Sequence, residues 1–152
     1  MTERTIKMLA DLDETAQPVF KEMFERLDSI IGENRYIAFE GRRKLQVQEA
    51  YFAQGRETLE AVNEKRNAAG LYLLRSEKEN YCITWTMNSK HLGGKAMDIL
   101  PTDGQGNATW DLAHYRVVFE TIRNCARASG LVCGADWEAP HTDWPHYETT
   151  AA

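Results

Sequence analysis

An α+β fold is predicted for this chain, and three observations predict it. Apolar residues recur at helical spacing in some stretches. Between them lie short runs rich in β-branched and aromatic residues. Several of those runs are joined by links of hairpin length, which favours a sheet with hairpin pairings over a parallel one. A length of 152 residues suits one domain with one core. The whole chain, 1–152, is therefore expected to be a single domain, with residues 1–32 as a helical segment packed on it.

Two helices are expected first, Thr5 to Leu12 and Gln17 to Ile31. In the second, Phe20, Met23, Phe24, Leu27, Ile30 and Ile31 form one apolar face. Pro18 suits a first turn, and Gly32 stands where a helix stop belongs. Tyr36 to Phe39 reads as a strand, and Arg43 to Gln54 as a helix closed by Gly55. Thr58 to Ala69 is polar and reads as helical or irregular. Leu71 to Leu74 and Tyr81 to Trp85 read as two strands of a hairpin, linked by the charged stretch Arg75 to Asn80. Lys95 to Leu100 is a further strand, stopped by Pro101. Thr102 to Ala108 is a surface loop. Thr109 is positioned to cap a helix running to about Ser129, with Gly130 after it. Leu131 to Trp137 and Pro145 to Glu148 close the chain as short extended pieces.

Hydrophobic residues make up 43% and charged residues 27% of the chain, an ordinary globular mixture. The net charge of -5 argues against a nucleic-acid partner, because phosphate binding wants clustered Lys and Arg. No apolar run is long enough for a membrane span. The first twelve residues carry Glu3, Arg4, Lys7 and Asp11 and lack the apolar core of a signal peptide, so synthesis in the cytoplasm without signal-directed export is expected. Cys82, Cys125 and Cys133 have no CxxC spacing and read as buried small apolar residues.

The chemistry concentrates in two segments. In Ser89-Lys-His-Leu-Gly-Gly-Lys-Ala-Met-Asp98, a turn at Gly93-Gly94 can bring His91, on a loop, and Asp98, on the following strand, to one point. In Gly134 to Glu148, His146 offers a third ligand, with His141 as its competitor, and Asp143 lies three residues before His146. Imidazoles and a carboxylate suit a catalytic zinc that keeps a fourth place for water. His114, on a helix without an acidic partner pattern, reads as a surface residue. Trp85, Trp137 and Trp144 either wall a cleft or pack in a core. Gly104-x-Gly106 opens no βαβ unit and carries no phosphate-loop signal.

Ser89-x-His91-x-x-Gly94-x-Ala96-x-Asp98 resembles the SxHxxGxAxD signature of the VanY-like and L-alanyl-D-glutamate zinc peptidases. Gly134-Ala135-Asp136-Trp137, followed by Asp143-x-x-His146, is similar to that family's GGDW and DxxH signature. Gly41-x-Arg43, Gln48 and Gln54-Gly55-Arg56 match its upstream segments. Lys44 stands where Ser is common, Ala135 replaces the second Gly of GGDW, and the stretch from Ala61 to Asn80 is longer than the usual link.

The resemblance implies a small α+β domain of the hedgehog and DD-peptidase type, with a mainly antiparallel sheet packed by helices and a zinc site at the sheet edge. It implies one Zn²⁺ per chain on His91, Asp98 and His146, with Asp143 as catalytic acid/base and Arg43, or its neighbour Arg42, on the substrate carbonyl or oxyanion. Ser89, Asp136, Trp137 and Glu148 become supporting or substrate-binding residues. Asp136 and Glu148 are the candidates to orient a ligand imidazole. The implied function is cleavage of peptidoglycan stem peptides at the L-Ala–D-Glu bond by a phage endolysin. Such an enzyme would be monomeric and would reach the wall through a holin-type pore. The rival readings are a D-alanyl-D-alanine carboxypeptidase or dipeptidase, a non-catalytic wall-binding module, and a phage structural component.

Overall fold

Helices α1 (Glu3–Asp11) and α2 (Gln17–Ile31) lead into strand β1 (Tyr36–Glu40), followed by helices α3 (Leu45–Ala53) and α4 (Leu59–Ala68). Strand β2 (Ala96–Pro101), helix α5 (Leu112–Ala128) and strands β3 (Val132–Cys133) and β4 (His146–Glu148) complete the order. The computed structural model describes residues 1–150. It divides into two compact units, Arg43–Leu92 and the rest of the chain on either side. The expected α+β class is present. Among the described residues, no helix is long and apolar enough to cross a membrane.

In the unit built from both chain ends, the four strands pair antiparallel in the order β1-β2-β4-β3. Alternation along the strands decides what faces where. Met97 and Ile99 of β2 and Tyr147 of β4 join the apolar core with Phe20, Met23, Phe24 and Leu27 of α2 and Ile122 of α5. Their neighbours Asp98, His146 and Glu148 therefore point to the opposite face. The outer edge of β1 is not bare. The Arg4 guanidinium donates to the carbonyls of Ala38, at 2.7 Å, and Phe39, at 3.1 Å, which blocks pairing with another strand.

Helix boundaries follow local chemistry. α1 starts at Glu3, two residues before expectation, because the Thr2 hydroxyl accepts from the Thr5 amide. α2 spans the expected residues, with Pro18 in its first turn and Gly32 at φ 82 closing it. α3 begins at Leu45, so Arg43 lies on the approach to the helix and not within it. α4 is capped by Thr58. The cap of α5 is Asp111, not Thr109, since the Asp111 carboxylate accepts from the His114 amide. Only Val132–Cys133 of the expected extended stretch pairs in the sheet, and Gly134–Asp136 forms a 3-10 turn.

The second unit holds α3, α4 and the segment after them, around a small cluster of Ala53, Val62 and Leu74 with Leu59 packed on it. The expected hairpin of Leu71 to Leu74 with Tyr81 to Trp85 does not form; neither run is a strand. Side chains of the helices take up the backbone groups that a ladder would have used. Asn63 donates to the Leu74 carbonyl at 3.0 Å and accepts from its amide at 2.8 Å. Arg66 Nε donates to the Tyr72 carbonyl, and Gln54 to that of Glu79. Gly55, at φ +81, leaves the space: a Cβ there would stand 2.3 Å from the Cys82 nitrogen.

Asn63→Ala strips both hydrogen bonds from buried Leu74, a loss of about 1–3 kcal/mol. Urea unfolding is expected to show a lower midpoint with an unchanged m-value. An unchanged midpoint would mean that the 71–74 stretch does not depend on this side chain.

Candidate metal centre

Asp98 and His146 are directly paired across β2 and β4. Residues opposite each other in an antiparallel pair project to the same face. Asp98 Oδ1 and His146 Nδ1 lie 3.5 Å apart on the face away from the apolar core. These are the two inner strands, so the pair sits on the sheet's face near the start of β2 and not along an outer strand.

His91 is delivered by the turn that precedes β2. Ser89 Oγ accepts from the His91 amide at 3.2 Å, and the Ser89 carbonyl accepts from Leu92, so Ser89 shapes the turn through backbone contacts. Gly94 follows at φ +70. A Cβ on it would come within 2.8 Å of the Asp13 nitrogen and of an Arg42 guanidinium nitrogen, which explains why glycine stands there. One ligand atom from each of His91, Asp98 and His146 lies within 4.8 Å of the others, and among the described residues no other group of His, Cys, Asp or Glu converges in this way. Both imidazoles are buried. His141, the competitor, is exposed and outside the group.

The His146 ring is held from several sides. Its Nε2 lies 2.9 Å from Glu148 Oε1. An ionised carboxylate can only accept, so this nitrogen carries a proton, and once the ring gives up its second proton the lone pair lies on Nδ1, on the Asp98 side. The Trp137 ring packs on the imidazole at 4.9 Å between centroids. Burial by itself would lower the pKa of His146. The hydrogen-bonded carboxylates Asp98 and Glu148, helped by the charge of Asp143, outweigh that and raise it to about 9. The site demands positive charge, and in the metal-free protein a proton supplies it.

Asp143 is exposed, yet its backbone is fixed. Its amide donates to the Gly134 carbonyl at 2.9 Å, and its own carbonyl accepts from the His146 amide. Gly134 permits this approach, since a Cβ there would stand 2.3 Å from the Asp143 carbonyl oxygen and 3.0 Å from the His146 Cβ. Of the two carboxylates considered for orienting an imidazole, Glu148 is in contact with His146, whereas Asp136 is engaged by the Arg127 guanidinium. Trp144 packs on α5, against Phe119 and beneath Arg116 and Arg123. Trp85 is exposed.

Of the adjacent arginines, Arg42 Nε donates to the Asp11 carbonyl. Arg43 donates to Gln48 Oε1 at 2.6 Å, lies over the Tyr51 ring, and is joined to the metal turn because its amide donates to the His91 carbonyl at 2.8 Å. Gln48 is the residue whose role sequence reading missed. It is fully buried, and its amide nitrogen donates to the Thr86 carbonyl at 2.6 Å, so it ties Arg43 to the 84–86 stretch. An amide on an otherwise apolar helix face was the available signal.

The sequence model describing the phage L-alanyl-D-glutamate peptidases matches residues 9–149. The chain belongs to that family. Curated proteins searched by sequence give no match. The fold of the peptidase is similar to that of the L-Ala D-Glu endopeptidase ChiX of Serratia marcescens, with a TM-score of 0.58 and 19% identity over 99% of this chain and 89% of that one. It is also similar to an E175A mutant of the vancomycin-resistance D,D-pentapeptidase VanY in complex with Zn(II), with a TM-score of 0.52 and 15% identity over 92% and 73% of the two chains. At these identities the likeness establishes the fold, and the family match establishes the class, a peptidase of peptidoglycan.

Two outcomes follow from the site. Because the folded-state pKa of His146 is raised, its protonation stabilises the metal-free peptidase fully below about pH 6.5, and that contribution fades as pH rises through about 9. A metal must displace that proton, so zinc affinity is expected to climb with pH across the same window, with proton release visible in calorimetry in buffers of different ionisation enthalpy. Affinity independent of pH would contradict this account. Gly134→Ala is expected to push Asp143 and His146 apart and to weaken zinc binding at least tenfold; an affinity equal to wild type would show that the segment yields freely.

Proposed function

We propose that this peptidase holds one zinc ion on His91, Asp98 and His146 and hydrolyses the L-alanyl–D-glutamate bond of peptidoglycan stem peptides as a phage endolysin. The observation that carries the reading is the convergence of those three side chains within 4.8 Å. Two buried imidazoles and one carboxylate suit zinc and leave it an open position. The family supports the bond, and the Zn(II) in the VanY complex supports the metal.

Zinc held by His91, Asp98 and His146 would bring the pKa of a bound water to about 7 and would polarise a carbonyl. The residues of the chain supply the rest. Asp143, next to the site and open to solvent, takes the proton of the attacking water and passes it to the departing amine. The guanidinium of Arg43, oriented by Gln48, donates to the substrate carbonyl oxygen as negative charge develops there. Glu148 keeps the proton on Nε2 of His146, which fixes the ring's tautomer, and Trp137 limits the water that reaches it. The enzyme works as a monomer and meets the wall once a holin-type pore has opened.

The test uses defined muropeptides and mass spectrometry of the products. His146→Ala is expected to lose both zinc and activity. Asp143→Asn is expected to keep zinc and lose about 10²–10⁴-fold in kcat. Full activity in both variants would end the proposal. The likeness to a D,D-pentapeptidase makes cleavage between terminal D-alanines the competing result, and the new amino terminus distinguishes the two.

A further inference from the structure

We propose that Tyr51 is a positioning residue for the reaction, whose ring holds the plane of the Arg43 guanidinium so that its N–H groups meet the substrate carbonyl. The inference rests on the role proposed above for Arg43 and adds the residue that orients it.

Arg43 stands just before α3, and that helix turns two unlike groups toward it. Gln48 and Tyr51 are three residues apart on α3, so their side chains are neighbours on one face. Gln48 Oε1 accepts from Arg43 Nη1 at 2.6 Å, and the Arg43 Cζ lies over the Tyr51 ring, 4.9 Å from its centroid. The two contacts restrain different motions. A hydrogen bond at one edge of the guanidinium fixes that edge and leaves the group free to swing about it. A ring against the flat face stops the swing. It uses none of the N–H donors, because the attraction is between the cation and the negative face of the ring.

The ring has a fixed neighbour of its own. Arg66 is only 3% exposed, and it donates to Gln54 Oε1 at 2.9 Å and to the Tyr72 carbonyl at 2.7 Å. Tethered there, its Cζ lies 4.6 Å from the Tyr72 centroid and 6.0 Å from that of Tyr51. Two guanidinium groups of like charge thus share one aromatic neighbour. An aromatic face attracts both cations, and an aliphatic side chain in its place would attract neither. Arg43 is also joined to the metal turn, since its amide donates to the His91 carbonyl. A donor serves a developing oxyanion only when it is held in place beforehand, and small misplacements are costly.

Steady-state kinetics on the defined muropeptide test the proposal, with zinc content measured for each variant. Arg43 acts on charge that develops during the reaction, so its misplacement is read in kcat and not in KM. Tyr51→Leu is expected to lower kcat about tenfold, with KM and zinc content within twofold of the parent. Tyr51→Phe, which keeps the ring, is expected to restore kcat to within twofold. In an Arg43→Ala background, itself about a hundredfold slower, Tyr51→Leu is expected to have no further effect. A packing role alone would give the same loss with or without Arg43, and that result would overturn the proposal. So would parental kcat in Tyr51→Leu, or an equal loss in Tyr51→Phe. If circular dichroism shows Tyr51→Leu unfolded, Tyr51→Met takes its place. Parental kcat in Arg43→Ala would reject the role of Arg43 and the positioning role with it. Cleavage at a different bond with the same double-mutant pattern would reject the proposed bond and retain Tyr51.

Discussion

The pairing of Asp98 with His146 across β2 and β4 is the constraint on which the rest of the site depends. A strand has a side-chain period of two, so a slip of one residue between β2 and β4 would turn one of the two side chains into the apolar core and part the pair. The register is held by burial: Met97 pairs with Tyr147, and both are wholly inaccessible among the residues of α2 and α5. Fully burying a large apolar side chain contributes about 1.5–3 kcal/mol. The energy that stabilises one face of the sheet thus fixes the polar pair on the other. His91 needs a separate device, and the turn from Ser89 through Gly94 provides it.

The electrostatics of the site favour a positive charge at its centre. Asp98, Glu148 and Asp143 surround one buried imidazole, and its raised pKa records how much negative charge is gathered there. Like charges this close are tolerated when a cation shares the site. Glu148 and Trp137 give the ring its tautomer and its orientation, so the ligand is preorganised by neighbours on its own strand and on the preceding segment.

The unit of α3 and α4 is organised differently. Its later half has no ladder, and polar side chains of the two helices and of the turn between them hold its backbone one carbonyl at a time. Gln48 of α3, Gln54 and Arg56 after it, and Asn63 and Arg66 of α4 all take part. Such a network specifies a single path for the segment, because each unsatisfied partner would cost more than the bond contributes. It also leaves Tyr81, Ile83 and Trp85 facing outward.

The sequence by itself determined the elements whose signal is local. α2 was legible to the residue because its apolar spacing, Pro18 and Gly32 act within one helix. The metal-capable residues were legible because His91 and Asp98 flank a turn at Gly93-Gly94 and because both segments match a known signature. Tertiary structure decided what depends on distant partners. His146 joins the group and His141 does not, because β4 pairs with β2 at that residue. Glu148 reaches the imidazole while Arg127 holds Asp136. The runs at 71–74 and 81–85 have the composition of strands but are not strands: Asn63 and Arg66 of α4 take up the backbone of Leu74 and Tyr72, and Arg56 takes up that of Thr84. Strand propensity measures fit to a neighbouring surface, and which surface is present is settled only when the chain folds.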